Sequence, residues 1–128
     1  YHMYGVDIDT LNVYILQNGQ IGKPVWTRSR NQGNQWLKGQ YRIQSVSTYK
    51  IVFEGIAGSQ GDIGIDDIVV YSSCPQETVR LCTFEDPTIC GYQNINSQYK
   101  WTVARSDSPI ISQFGPTEDH TDGTNQGI

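Results

Sequence analysis

Short runs of alternating apolar and polar residues, each stopped by a turn signal, constrain this chain most. Leu11, Val13 and Ile15 share one face of an extended segment, with Asn12, Tyr14 and Leu16 on the other. Asn18-Gly19 follows at once, a dipeptide that favours positive φ and a tight turn. Pro24-Val25-Trp26-Thr27 restarts an extended segment. The polar tract Asn31–Gln35, closed by Trp36, reads as a surface loop. Residues 41–46 alternate again, Tyr41 and Ile43 opposite Arg42 and Gln44. Tyr49, Ile51 and Phe53 then alternate with Lys50, Val52 and Glu54. Gly55, Gly58, Gly61 and Gly64 mark a turn-rich stretch. Ile65 to Tyr71 is the most strand-like run, and it stops at Ser72-Ser73-Cys74-Pro75. No stretch carries a helical period. Five or so closely spaced strands predict an all-β fold, an antiparallel β-sandwich.

The pattern breaks after Cys74. Pro75-Gln76-Glu77-Thr78 has no periodicity and reads as part of a linker over 75–81. A new unit begins at Cys82, with a further short strand expected over 99–103 around Trp101 and Val103. From Ser106 the chain is polar and interrupted by Pro109, Gly115, Pro116, Gly123 and Gly127. Such a tail buries little and is expected to be disordered on its own.

Composition narrows the function classes. Charged residues are only 17%, and the polarity comes from 12 Gln and 7 Asn. The net charge of −4 argues against nucleic acid as a partner, because that needs a concentrated basic face. No apolar run approaches the roughly 18–20 residues of a membrane span, so no membrane insertion is expected. The two histidines belong to no nucleophile motif and to no HExxH. His2 reads as a packed strand residue and His120 as a maker of local hydrogen bonds; an enzyme is not expected. Trp26, Trp36, Tyr49, Phe53, Phe84 and Trp101 are a conceivable sugar platform, but their alternation with polar residues favours core packing. There is no Asn-x-Ser/Thr sequon, and residues 60–62 read Gln-Gly-Asp rather than an integrin-binding Arg-Gly-Asp. The three cysteines, Cys74, Cys82 and Cys90, leave one thiol either free or paired outside the chain.

Several long segments then resemble one extracellular module, the MAM domain of meprins, neuropilins and mu-type receptor tyrosine phosphatases. YHMYG (Tyr1–Gly5), TLNVYIL (Thr10–Leu16), VWTRSRNQGNQW (Val25–Trp36), YKIVFEGIAGSQGDIGIDDI (Tyr49–Ile68) and Cys74-Pro75 resemble its second half. CTFEDPTICGY (Cys82–Tyr92), WTVARS (Trp101–Ser106) and FGPTEDHT (Phe114–Thr121) resemble its first half. The end of one module thus precedes the beginning of another. The resemblance implies a junction of two tandem repeats, with 1–74 closing one, 75–81 linking and 82–128 opening the next. It also implies a jelly-roll-like sandwich that is incomplete in either piece. As both complementary halves are present, they are expected to be able to pair within the chain, as in a circular permutant.

The resemblance implies a disulfide between Cys82 and Cys90, and a partner for Cys74 outside this fragment. Such bridges belong to an oxidising, extracellular compartment, secreted or on a membrane ectodomain. Some members hold a structural cation, so calcium or sodium is the implied cofactor, with Glu85, Asp119, Asp66 and Asp67 as candidate ligands. The plainer role of Asp66 and Asp67 is to bind turn amides. The implied function is non-catalytic adhesion, with proteins at the cell surface or in the matrix as partners, homophilic association included. Two other settings remain open: a secreted acidic matrix protein of a mineralised skeleton, and an ancillary segment of a meprin-like ectoenzyme.

Overall fold

The computed structural model describes residues 1–45, 47–71, 79–84, 89–95, 100–103, 115, 116, 118 and 120. The fold is all-β with antiparallel ladders, the architecture of a β-sandwich module. Its strands are β1 (His2–Gly5), β2 (Ile8–Gln17), β3 (Gln20–Ile21), β4 (Trp26–Ser29), β5 (Tyr49–Ala57), β6 (Gly61–Gly64), β7 (Ile68–Tyr71) and β8 (Val79–Cys82). A 3-10 turn over Ile89–Gly91 is the only helical element among the described residues. The chain forms two compact units, 1–63 and 64–128.

In the first unit β2 is the organising strand. One of its edges pairs antiparallel with β3 and β4, the other with the whole length of β5. The β2–β3 hairpin turns on Asn18 (φ 52°) and Gly19 (φ 73°), with Gln17 opposite Gln20. Two successive positive φ values match the twist of a two-residue hairpin, the geometry that this dipeptide favours. A second, two-stranded sheet pairs β1 with β6. Met3 and Leu11, 0% and 1% exposed, mark the core together with Ile8 and the His2 ring.

Gly5 makes the β1–β6 approach possible. Its φ is 135°, and a Cβ there would overlap the Gln60 carbonyl and the Gly61 Cα. Just beyond, the Val6 N–H donates to Gln60 O at 3.0 Å. The Asn31–Gln35 tract is a loop laid beside β1. Its Gly33 bridges Met3, the Gln32 N–H donates to Met3 O at 2.8 Å, and Asn31 Nδ2 donates to Gly5 O at 2.9 Å.

Three expected strands differ. Residues 41–45 are not strand: alternation alone does not make one, and this run joins no ladder. The segment 100–103 is not strand either. The Trp101 N–H donates to Asn94 Oδ1 at 2.8 Å and the Trp101 carbonyl accepts from Asn94 Nδ2 at 3.0 Å, so one amide side chain replaces a neighbouring strand. The Ile65–Tyr71 run begins as strand only at Ile68, after Asp67 takes a left-handed φ of 48°.

The second unit contains β7 paired antiparallel with β8, Ile68 opposite Cys82 and Tyr71 opposite Val79. Residues 79–81, expected to end a linker, are therefore strand; tertiary pairing overrides their lack of local pattern. Cys82 and Phe84 are buried, and the Phe84 and Tyr92 rings lie 6.2 Å apart.

Candidate functional site

Two of the three acidic residues of the GDIGIDDI stretch, Asp66 and Asp67, fold into a small polar cluster in the second unit. Asp66 and Asp67 precede β7, and both are half-buried. Asp66 Oδ1 accepts the Asp67 N–H at 2.7 Å, so this carboxylate binds a turn amide as the sequence suggested. Asp66 Oδ2 is buried. The Asp67 carboxylate is met by His120, whose Nδ1 lies in hydrogen-bond contact with Asp67 Oδ2. One ligand atom from each of Asp66, Asp67 and His120 falls within 4.8 Å of the others.

Two of the four expected cation ligands, Asp66 and Asp67, are therefore brought together. Glu85 and Asp119 lie outside the described residues, as does Cys74. The chemistry of the described donors is incomplete for a hard cation. Calcium takes six to eight oxygens, and this cluster offers two carboxylates and an imidazole nitrogen. The sequence missed His120 as a member. It was expected to bond locally, but its partner stands 53 residues away in the chain. Only the DHT motif, adjacent to the expected ligand Asp119, pointed toward it.

Cys82 and Cys90 are bonded, with their Cα atoms 5.9 Å apart. The bridge ties β8 to the 3-10 turn, where Cys90 takes a φ of 53°.

His2 is held in the first unit. Its Nε2 lies 3.0 Å from Asn34 Oδ1, and its ring sits 5.7 Å from that of Trp36. Its Nδ1 is buried with no hydrogen-bond partner among the described residues. Burial lowers its pKa below the usual histidine value; the Asn34 bond and Asp62 work in the opposite sense, and the terminal amine reinforces the lowering. The imidazole thus stays neutral at physiological pH and acts as packing.

On the face of the main sheet opposite Leu11, a hydrogen-bonded row crosses three strands. Thr27 Oγ1 donates to Asn12 Oδ1 at 2.9 Å, and Asn12 Nδ2 donates to Glu54 Oε2 at 2.9 Å. Tyr14 adds its hydroxyl to the same oxygen at 2.6 Å. Those two bonds hold the Glu54 carboxyl below its usual pKa, Tyr14 first, and the Tyr14 phenol is pushed up in turn.

Comparison with known proteins places residues 1–75 in a family. A family model described as MAM domain, meprin/A5/mu, matches residues 1–75. The human MAM domain-containing glycosylphosphatidylinositol anchor protein 2 is 42% identical over 74 residues, 55% of this chain and 8% of that protein. The Xenopus laevis thyroid hormone-induced protein B is 45% identical over 73 residues, 54% of this chain and 11% of that protein. The chicken MAM domain-containing glycosylphosphatidylinositol anchor protein 1 is 36% identical over 84 residues, 62% of this chain and 9% of that protein. The chain thus spans only a small part of the curated relatives it matches. No solved structure matches it. Among the described residues no helix is long and apolar enough to cross a membrane.

Proposed function

The chain belongs to the MAM domain family, and from that premise we propose that it is a non-catalytic extracellular module that binds other proteins at a cell surface or in the matrix. The match over residues 1–75 carries this reading. The relatives support the setting: a glycosylphosphatidylinositol anchor, named in two of them, holds a protein to the outer face of a membrane. Neither the names of these relatives nor the roles of the two histidines suggest catalysis. His2 packs against Asn34, and His120 meets Asp67.

The junction of two repeats belongs to the same proposal. Residues 1–74 close one MAM domain and 82–128 open the next, with the partner of Cys74 outside the chain. In a tandem array each weak contact raises the effective concentration for the following one, and this suits homophilic association. A cation would join Asp66 and Asp67 to Glu85 and Asp119, completing an oxygen shell that the described residues only begin.

Beads coated with the 128-residue chain test the reading. Clustering of coated beads, or their capture by cells bearing a tandem MAM ectodomain, is the expected result. Beads that stay dispersed and uncaptured overturn it. Calcium should raise the melting temperature of the wild-type chain and leave Asp66→Asn/Asp67→Asn unmoved; equal behaviour of the two chains removes the cation from the proposal.

A further inference from the structure

The charge of the first unit is unevenly written along the chain. Residues 10–53 contain six of the nine basic residues, Lys23, Arg28, Arg30, Lys38, Arg42 and Lys50, and no Asp or Glu at all. All six are exposed, and none has an ion-pair partner among the described residues. The net negative charge of the chain therefore hides a stretch of uncompensated cations.

One of these cations, Arg28, is stacked on an aromatic pair, and the backbone that carries a second, Lys38, runs beside the same pair. The Tyr1 and Trp26 rings meet edge to face, with centroids 5.2 Å apart. The Arg28 guanidinium lies 4.7 Å over the Trp26 ring. Its Nε donates toward the Tyr1 hydroxyl at 3.3 Å, and its Nη1 donates to Thr27 O at 3.0 Å. Three of its five N–H donors remain for a ligand. The backbone on either side of Lys38 is pinned to the same place. Tyr1 exchanges hydrogen bonds with Leu37, through its terminal amine at 2.7 Å and its carbonyl at 2.8 Å. Gly39 packs so closely on Trp26 that a Cβ would lie 3.0 Å from the ring.

We propose that the half-exposed Tyr1–Trp26 pair, flanked by Arg28 and Lys38, is a docking surface for a sulfated polysaccharide. Each part answers to that ligand. A planar guanidinium fixed by stacking presents parallel donors to a sulfate, and an ammonium beside it takes a second anionic group as a point charge. The half-exposed Tyr1 and Trp26 rings add apolar surface beside the cations for the C–H side of a sugar ring. A duplex nucleic acid fits less well, because its bases are stacked on one another and offer no free ring face to the Tyr1–Trp26 pair, whereas a pyranose ring does. The ligand class assumes the extracellular setting proposed above. The two readings fail separately, since heparin binding needs no bead clustering and clustering needs no heparin.

Heparin titrated into the 128-residue chain at 0.15 M salt tests the surface. Binding should weaken about thirtyfold in Arg28→Ala/Lys38→Ala, the scale expected for losing two cations near a polyanion. Lys50→Ala removes a cation from the opposite face of the sheet, where Lys50 stands across from Leu16, and should change affinity less than about twofold. Desulfated heparin should not compete. The proposal is overturned by absent heparin binding, by a Lys50→Ala loss as large as that of the double variant, or by duplex DNA or anionic vesicles binding as tightly as heparin. Circular dichroism of each variant checks that its strands are intact, and Arg28→Lys, which keeps the charge but not the planar fork, should give an intermediate loss.

Discussion

Tyr14 and Glu54 meet diagonally across the β2–β5 ladder, the phenol donating to Oε2 at 2.6 Å while Asn12 donates to the same oxygen at 2.9 Å. Both bonds favour the ionised carboxylate and hold its pKa down. A carboxyl with a lowered folded pKa contributes stability that is present above its unfolded pKa and lost as pH falls through the folded one. Urea denaturation of the wild type should therefore show an acid limb that Glu54→Gln lacks. Solvent screening at this exposed site keeps the difference at neutral pH to about 0.5–1 kcal/mol.

Asn12 is the buried link of that row, bonded to Thr27 on one side and Glu54 on the other. Asn12→Asp places a second carboxylate directly opposite Glu54 and exchanges a donor for an acceptor. Stability at neutral pH should drop by about 2 kcal/mol, and part of the loss should be recovered at pH 4, where one carboxyl of the pair protonates. Asn12→Ala should lose about 1–2 kcal/mol with no such recovery. Chemical melts at the two pH values distinguish them.

How much of this was legible depended on what each feature required. The β2 strand and its Asn18-Gly19 turn could be read directly, since alternation and turn chemistry are local. The strand status of Val79–Cys82 could not, because it comes from pairing with Ile68–Tyr71. Residues 41–45 show the converse: they alternate like a strand but join no ladder. At the polar cluster, Asp66 and Asp67 announced themselves by their spacing. His120 did not, because the contact that recruits it spans 53 residues. The Trp26–Arg28 stack was hidden for another reason: alternation with polar residues describes a core ring and a half-exposed one equally well.

His2 gives a second pH dependence, with the opposite cause. Burial favours the neutral ring, so its folded pKa lies below the unfolded value of 6.5. The unfolded chain then binds the proton more readily, and stability falls as pH drops below 6.5 toward the folded pKa. Protonation would also place an N–H at Nδ1, which has no acceptor among the described residues. His2→Phe keeps a ring against Trp36 and removes the titration. The fall in denaturation midpoint between pH 7 and pH 5.5 should be larger in the wild type than in this variant; equal falls would assign it to the carboxylates.

Gly5 should tolerate no side chain. Its φ of 135° is unfavourable for any L residue, and a Cβ would meet backbone atoms of Gln60 and Gly61, which cannot swing aside as a side chain does. Gly5→Ala should cost the first unit at least ~2 kcal/mol, seen as an early loss of Trp26 and Trp36 fluorescence. Gly19→Ala is the control. It has a positive φ but open space around it, and should cost only about 1 kcal/mol.

The Cys82–Cys90 bridge closes a loop across a sequence separation of 8 residues, so its effect belongs to the second unit. Loop-closure entropy for so short a ring contributes about 2–3 kcal/mol. Cys82 is itself buried in strand β8 beside Phe84, and reduction leaves two thiols where packing assumed one bridge. Cys82→Ser/Cys90→Ser should lower the stability of the unit holding Trp101 by that amount, while hydrogen exchange across β2 and β5 stays unchanged. Slowed exchange of β7 and β8 in the oxidised chain, lost on reduction, is the signature to measure. Equal loss of protection in β2 would show instead that the two units unfold as one.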